Sequence, residues 1–154
     1  MQLVIKILIL AAIVVALLTI LGRMYFSRMA QPINVGTGMI QPCPDSPNCV
    51  STQAADDVHK IKPILLVNGD SAATLDAIEK IVQTMPKSTI VTRNDHYMHV
   101  EFRSTYWNFV DDVEFFVNLE NGTVDSRSAA RMGYSDLGAN RARFNEILQR
   151  LNSD

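Results

Sequence analysis

Between Ile7 and Gly22 the chain reads ILILAAIVVALLTILG, and from Met1 to Gly22 its only charged side chain is Lys6. That stretch is close to the roughly 20 residues a helix needs to cross a bilayer. Residues 1–26 therefore read as a single, uncleaved transmembrane anchor. A cleaved signal peptide would need small residues ahead of a cleavage site, but the apolar core is followed by Arg23-Met24-Tyr25-Phe26-Ser27-Arg28, and no lipobox cysteine stands there.

Orientation follows from two opposed signals. Lys6 lies on one side of the span and Arg23 and Arg28 on the other, so the positive-inside rule slightly favours a cytoplasmic domain. Against it stand the only two cysteines, in Cys43-Pro44-Asp45-Ser46-Pro47-Asn48-Cys49, where two prolines turn the chain and bring both sulfurs within disulfide reach. Disulfides persist in oxidising compartments, so this pair argues for an extracytoplasmic domain on a single-pass protein. Free structural thiols, or half of a zinc site, are the alternatives for this pair. No second ligand pair follows them, and neither a metal nor any other cofactor is expected.

Residues 27–41 contain Pro32, Gly36 and Gly38 and little periodicity, as suits a tether, and residues 42–154 are long enough for one core. From Ala30 onward 11 Lys or Arg face 16 Asp or Glu, a net charge of −5, after removing Lys6, Arg23 and Arg28 from the total of 14 basic residues. A nucleic-acid partner is excluded on that balance, because phosphate neutralisation requires positive excess.

Within the domain, His59–Val67 is a short apolar run broken by Pro63, an edge or irregular strand. Leu75, Ile78, Ile81, Val82 and Met85 recur at helical spacing, predicting a helix over 72–85 that Pro86 ends. Thr89–Thr92 is β-branched. In Tyr97–Ser104, Met98, Val100 and Phe102 alternate with His99, Glu101 and Arg103, the period of a half-buried strand. Val113–Leu119 leads to Asn121-Gly122, a two-residue hairpin signal that also forms a glycosylation sequon, and Thr123–Arg131 returns antiparallel. A last helix from Leu137 to Leu151, capped by Ser135 or Asp136, buries Phe144, Ile147, Leu148 and Leu151. The expected fold is α+β: a transmembrane helix, then a two-layer domain with a sheet of four or five mostly antiparallel strands and two helices on one face.

The chemistry concentrates in residues 127–143, where four arginines share 17 positions. Strand alternation puts Asp125, Arg127, Ala129 and Arg131 on one face and Val124, Ser126, Ser128 and Ala130 on the other, toward the helices. Arg127 and Arg131, about 13 Å apart, either flank an anion or pair with Glu101, Asp111, Asp112, Glu114 or Asp125 across the sheet. In the connection that follows, Asp136 serves as a helix cap or the loop receives an anion. Asn140, Arg141 and Arg143 sit in a first turn where positive charge opposes the helix dipole, so at least one should answer to a carboxylate or an external partner. Tyr106, Trp107 and Phe109 fill one end of the core or lie against headgroups or another membrane protein. The only loose hydrolytic candidates are Ser128 or Ser135 with His99 as base, and no nucleophile-elbow motif occurs.

Two separated passages, Cys43 to Ser51 and Arg127 to Arg141, together with Asp111-Asp112-Val113-Glu114-Phe115, resemble the domain-of-unknown-function 1499 family in order and spacing. The resemblance runs from Gln41 to Leu151 and includes Asp45, Asn48, Ser128 and Tyr134, with Ala130 where relatives often have serine. It implies a domain and assigns no catalytic residue.

Three functions follow as expectations. The first is a non-catalytic accessory or structural subunit, anchored in the bilayer and docking onto a membrane complex or an envelope component. The second is a binding module for an anionic small molecule or lipid headgroup, with Arg127, Arg131, Tyr134, Asp136, Asn140 and Arg141 as the ligand- or partner-binding residues. The third is an envelope hydrolase.

Overall fold

The computed structural model describes residues 2–28 and 40–153. Helix α1 spans Gln2–Arg28, and within it Gln2–Gly22 is long and apolar enough to cross a membrane. Most of the tether expected over 27–41 lies outside the described residues.

The domain contains a six-stranded sheet and two helices, an α+β arrangement. In chain order these are β1 (Cys49–Ser51), β2 (Ile64–Leu65), α2 (Ser71–Thr84), β3 (Ser88–Arg93), β4 (Tyr97–Arg103), β5 (Val110–Asn118), β6 (Thr123–Ala130) and α3 (Ala139–Leu151). The strands pair antiparallel in the order β1-β6-β5-β4-β3, and β2 adds to the same edge of β6 as β1. The outer edge of β6 is thus covered twice, by Cys49–Ser51 opposite Arg127–Ala129 and by Ile64–Leu65 opposite Thr123–Val124. That covering closes an edge that would otherwise present free backbone donors and acceptors.

Both helices lie on one face, where the apolar positions of the strands meet them. Met98, Val100 and Phe102 of β4, Val113, Phe115 and Val117 of β5 and Val124 of β6 form one core with Leu75, Ile78, Ile81 and Val82 of α2 and Phe144 and Ile147 of α3. Leu148 and Leu151 pack against it only partly buried. Helix α2 starts where Asp70 accepts the Ala73 N–H at 3.0 Å, after a turn in which Asn68 and Gly69 take positive φ.

Three local expectations need correction. The β5–β6 hairpin has a four-residue connection, because Asn118 pairs with Thr123, and only Gly122 there, at φ 63°, is left-handed. The Asn118 carboxamide oxygen accepts the Asn121 N–H at 3.1 Å and organises the longer turn. Helix α3 begins at Ala139, not Leu137, since Leu137 and Gly138 take φ of 57° and 82° and cannot continue a right-handed helix. Its capping residue by position is Gly138, which offers no side chain, and Asp136 supplies the oxygen from two residues earlier. Tyr106 and Trp107 fill no core: they are exposed.

Cys43 and Cys49 are joined in a disulfide. Loop-closure entropy for so short a ring is worth about 2 kcal/mol, so the double variant Cys43→Ser, Cys49→Ser should unfold at lower urea with unchanged slope. Equal midpoints for variant and parent would show that the surrounding hydrogen bonds alone hold this segment.

Candidate functional site

The passage from β6 into α3 is organised by one side chain. Asn140 is fully buried and uses its whole hydrogen-bonding capacity. Its Nδ2 donates to the Asn48 carbonyl at 3.0 Å and to Asp136 Oδ2 at 2.8 Å. Its Oδ1 accepts from Ser128 Oγ at 2.5 Å and from Arg143 Nη1 at 2.7 Å. Because a carbonyl and a carboxylate only accept and a guanidinium only donates, the amide can stand in one orientation. Asn140 thereby ties together the disulfide loop, β6, the 131–138 connection and α3.

Asn48 completes the junction from the other side. Its Nδ2 donates to the Gly133 carbonyl at 2.5 Å, its Oδ1 accepts from Ser46 Oγ at 2.8 Å, and its own carbonyl also accepts the Ala130 N–H at 3.0 Å. Asp136 accepts from the backbone of Gly138 at 3.0 Å and of Asn140 at 2.8 Å. With these donors taken, the helix start is capped from within the chain, as the capping alternative expected.

The same junction presents apolar groups outward. The 131–138 connection takes positive φ at Gly133, Leu137 and Gly138, and exposes Tyr134 (76%) and Leu137 (96%). The neighbouring β4–β5 connection is drawn tight by Ser104, whose N–H donates to the Phe109 carbonyl at 2.9 Å and whose Oγ accepts the Phe109 N–H at 3.0 Å. It exposes Tyr106 (88%) and Trp107 (52%). Both loops stand at one end of the sheet, since Arg103 pairs with Val110 and the Arg131 N–H reaches the Val110 carbonyl at 3.0 Å. The disulfide loop reaches the same end through Asn48.

The sheet face away from the helices is charged yet largely buried. Arg131 Nε donates to Asp112 Oδ2 at 2.7 Å, and its Nη2 reaches Asp112 Oδ1 at 2.7 Å and Glu101 Oε1 at 2.5 Å. His99 Nε2 lies 2.8 Å from Asp112 Oδ1. Burial pushes the Asp112 carboxyl upward, but the bonds from Arg131 and His99 outweigh it and hold the group below its ordinary value. Arg131 is raised correspondingly, chiefly by its bond to Asp112. Arg127 behaves differently. Its Nη1 is 3.6 Å from Glu114 Oε2, burial lowers the guanidinium, and burial raises Glu114 although Tyr97 donates to it at 2.9 Å and Arg127 attracts it. Shifts of both partners toward neutrality mark an ion pair that does not recover its desolvation.

The six residues expected to bind a ligand or partner therefore divide. Arg127 and Arg131 lie on the charged face and meet Glu114, Glu101 and Asp112, as the cross-sheet alternative expected. Asp136 and Asn140 are internal ties, Tyr134 stands exposed at the sheet end, and Arg141 points elsewhere, donating to the Val58 and Lys60 carbonyls at 2.6 and 2.9 Å. Arg143 answers to Asp111 at 2.7 Å and stacks over Phe102 at 4.6 Å. Ser128 faces α3 while His99 faces the opposite side of the sheet, so this serine and this base are not brought together, and the Ser135 hydroxyl accepts the Leu137 N–H. Leu137 and Asn48 are what the sequence reading missed as site residues: the signal for Leu137 was an apolar side chain between Asp136 and Gly138 in a polar stretch. Among the described residues no cluster of His, Cys, Asp and Glu forms a metal site.

Removing Asn140 leaves a buried carbonyl, carboxylate, hydroxyl and guanidinium short of partners at once. Asn140→Ala should cost about 3 kcal/mol or more by denaturant melt of the full-length protein, and Asn140→Asp, isosteric but facing Asp136, should not rescue it. A second prediction concerns His59, whose Nδ1 is 2.8 Å from Asp56 Oδ1 and whose Nε2 is 3.2 Å from the Ser46 carbonyl. The Asp56 bond raises the imidazole above its ordinary 6.5, so its stabilisation is complete below that pH and fades as pH rises through the elevated folded value. The stability gap between the parent and His59→Gln should accordingly shrink from pH 5.5 to 8.5, and a gap that widens with pH would refute the pairing.

The chain matches no curated protein and no solved structure. Residues 39–151, which carry the disulfide loop, the sheet and the Asn140 junction, match the model of a protein of unknown function, DUF1499, and the chain belongs to that family.

Proposed function

We propose that this protein is a membrane-anchored accessory subunit that docks onto a membrane protein complex through the sheet end bearing Tyr106, Trp107, Tyr134 and Leu137. In this reading α1 spans the inner membrane and the disulfide-bonded domain lies in the periplasm, where oxidising conditions preserve the Cys43–Cys49 bond. The observation that carries the reading is Leu137. It combines near-complete exposure of an apolar side chain with a left-handed φ of 57°. Strain kept at an exposed apolar residue points to a contact made outside the domain. Tyr and Trp beside it are the residue types that dominate interface energetics, and both loops are fixed by their own hydrogen bonds, which lowers the entropy lost on docking.

The tether supports the same reading by its length. From Arg28 to Ile40 a fully extended chain reaches about 40 Å, on the order of one domain diameter, so the domain stays beside whatever shares its bilayer. Nothing in this arrangement requires a reaction.

A photo-crosslinker placed at Trp107 or Leu137 of the full-length protein in native membranes should yield one discrete protein adduct that the same group at Gln83 does not. Lipid adducts alone, or the same ladder at all three positions, would defeat the proposal. Leu137→Gly relieves the left-handed strain and should raise stability by about 1 kcal/mol while it weakens the adduct formed from Trp107, a separation that a purely structural role for Leu137 would not produce.

A further inference from the structure

We infer that the groove between α3 and the 57–63 segment binds an anionic amphiphile, a phosphate or carboxylate head carrying a short apolar tail. The groove has a volume of about 490 Å³, and its lining includes the cationic Lys60, Lys62 and Arg141 and the apolar Ile61, Phe144 and Leu148. Asp57 is the one acid among its lining residues, so the cations exceed it by two in a domain whose overall balance is −5.

Arg141 is what distinguishes this place from the rest of the surface. Among the described residues Arg93, Arg103, Arg127, Arg131, Arg143 and Arg150 all meet carboxylates. Arg141 meets only the carbonyls of Val58 and Lys60, which fix the guanidinium without cancelling its charge. It also stands in the first turn of α3, where the helix dipole adds to the positive potential instead of compensating it. A cation held at a helix start, with two lysines beside it and no acid bonded to it, lowers stability unless an anion is present for part of its working life. Lys60 and Lys62 are exposed, and their flexible stems let them close on a head group of either geometry.

The apolar part of the lining sets the class of ligand. Phe144 and Ile61 are buried core residues whose edges line the groove, and Leu148 is partly buried one turn further along α3. A bare inorganic anion would meet only the cationic side chains, whereas an amphiphile would cover the apolar ones as well. The site is separate from the docking end, and its occupancy does not depend on the accessory-subunit reading.

The test uses full-length protein in nanodiscs of neutral lipid, with Asn145→Cys carrying an environment-sensitive fluorophore in the groove. Hexyl phosphate should give a saturable signal, inorganic phosphate one at least tenfold weaker, and hexyltrimethylammonium none. The charge reversal Lys60→Glu with Lys62→Glu, both exposed and outside the core, should weaken hexyl phosphate tenfold or more. Repeating the measurement in nanodiscs containing phosphatidylglycerol separates the two sources. A signal before any ligand is added identifies the head group as bilayer lipid, and a signal only with added hexyl phosphate identifies a soluble amphiphile. Silence in both settings, or an equal response from the charge-reversed protein, overturns the inference.

Discussion

Four hydrogen bonds on the Asn140 carboxamide hold together four separate parts of the chain. One bond goes to the backbone beside the disulfide, one to the connection after β6, one to a β6 hydroxyl and one to α3 itself. An apolar residue of similar volume would pack here without specifying which loop sits where, because dispersion has no direction. The amide has direction. Once its nitrogen is committed to Asn48 and Asp136, α3 can start in only one place, and with it the positions of Leu137 on one side and Arg141 on the other are set.

The charged face of the sheet shows how unevenly burial can treat like pairs. Arg131 meets Asp112 with two short bonds, and the shifts of both groups favour the ionised forms, so this pair offsets its desolvation. Arg127 and Glu114 lie directly opposite each other on neighbouring strands but approach only to 3.6 Å, and burial pushes both toward neutrality. Direct opposition in the ladder is therefore not the arrangement that binds best here. Arg131 succeeds because it lies beyond the last paired residue of β6, where its guanidinium can turn to meet a carboxylate edge-on.

The fold was readable wherever one periodicity governed burial. The alternation of Met98, Val100 and Phe102 placed β4, and the helical spacing of Leu75, Ile78 and Val82 placed α2, because apolar side chains report their own environment. His99, Glu101 and Arg103 alternate just as regularly, and there the pattern misled: it looks like a solvated face, while His99 is buried against Asp112. Polar residues report burial only through their partners, and partners depend on register. Register in turn hung on the hairpin. A two-residue turn at Asn121-Gly122 would set Arg127 opposite Phe116, whereas the four-residue connection sets it opposite Glu114. The partner of Arg127 was thus decided by a turn length that Asn-Gly alone does not specify. Three-residue β1 was too short for any period to show.

That dependence explains why the two arginine groups play different parts. Arg127 is on β6 and Arg131 just past its end, where carboxylates of β4 and β5 were within reach. Arg141 is on a helix start facing a loop, where the available acceptors are backbone carbonyls that bring no charge. A run of arginines that looks uniform in sequence becomes a self-neutralised layer on the sheet and a single charge-bearing residue beside the groove. The physical consequence is a domain with two outward-facing features, an apolar end at Leu137 and a cationic groove at Arg141. They are four residues apart in the chain and separated by the buried amide that fixes both.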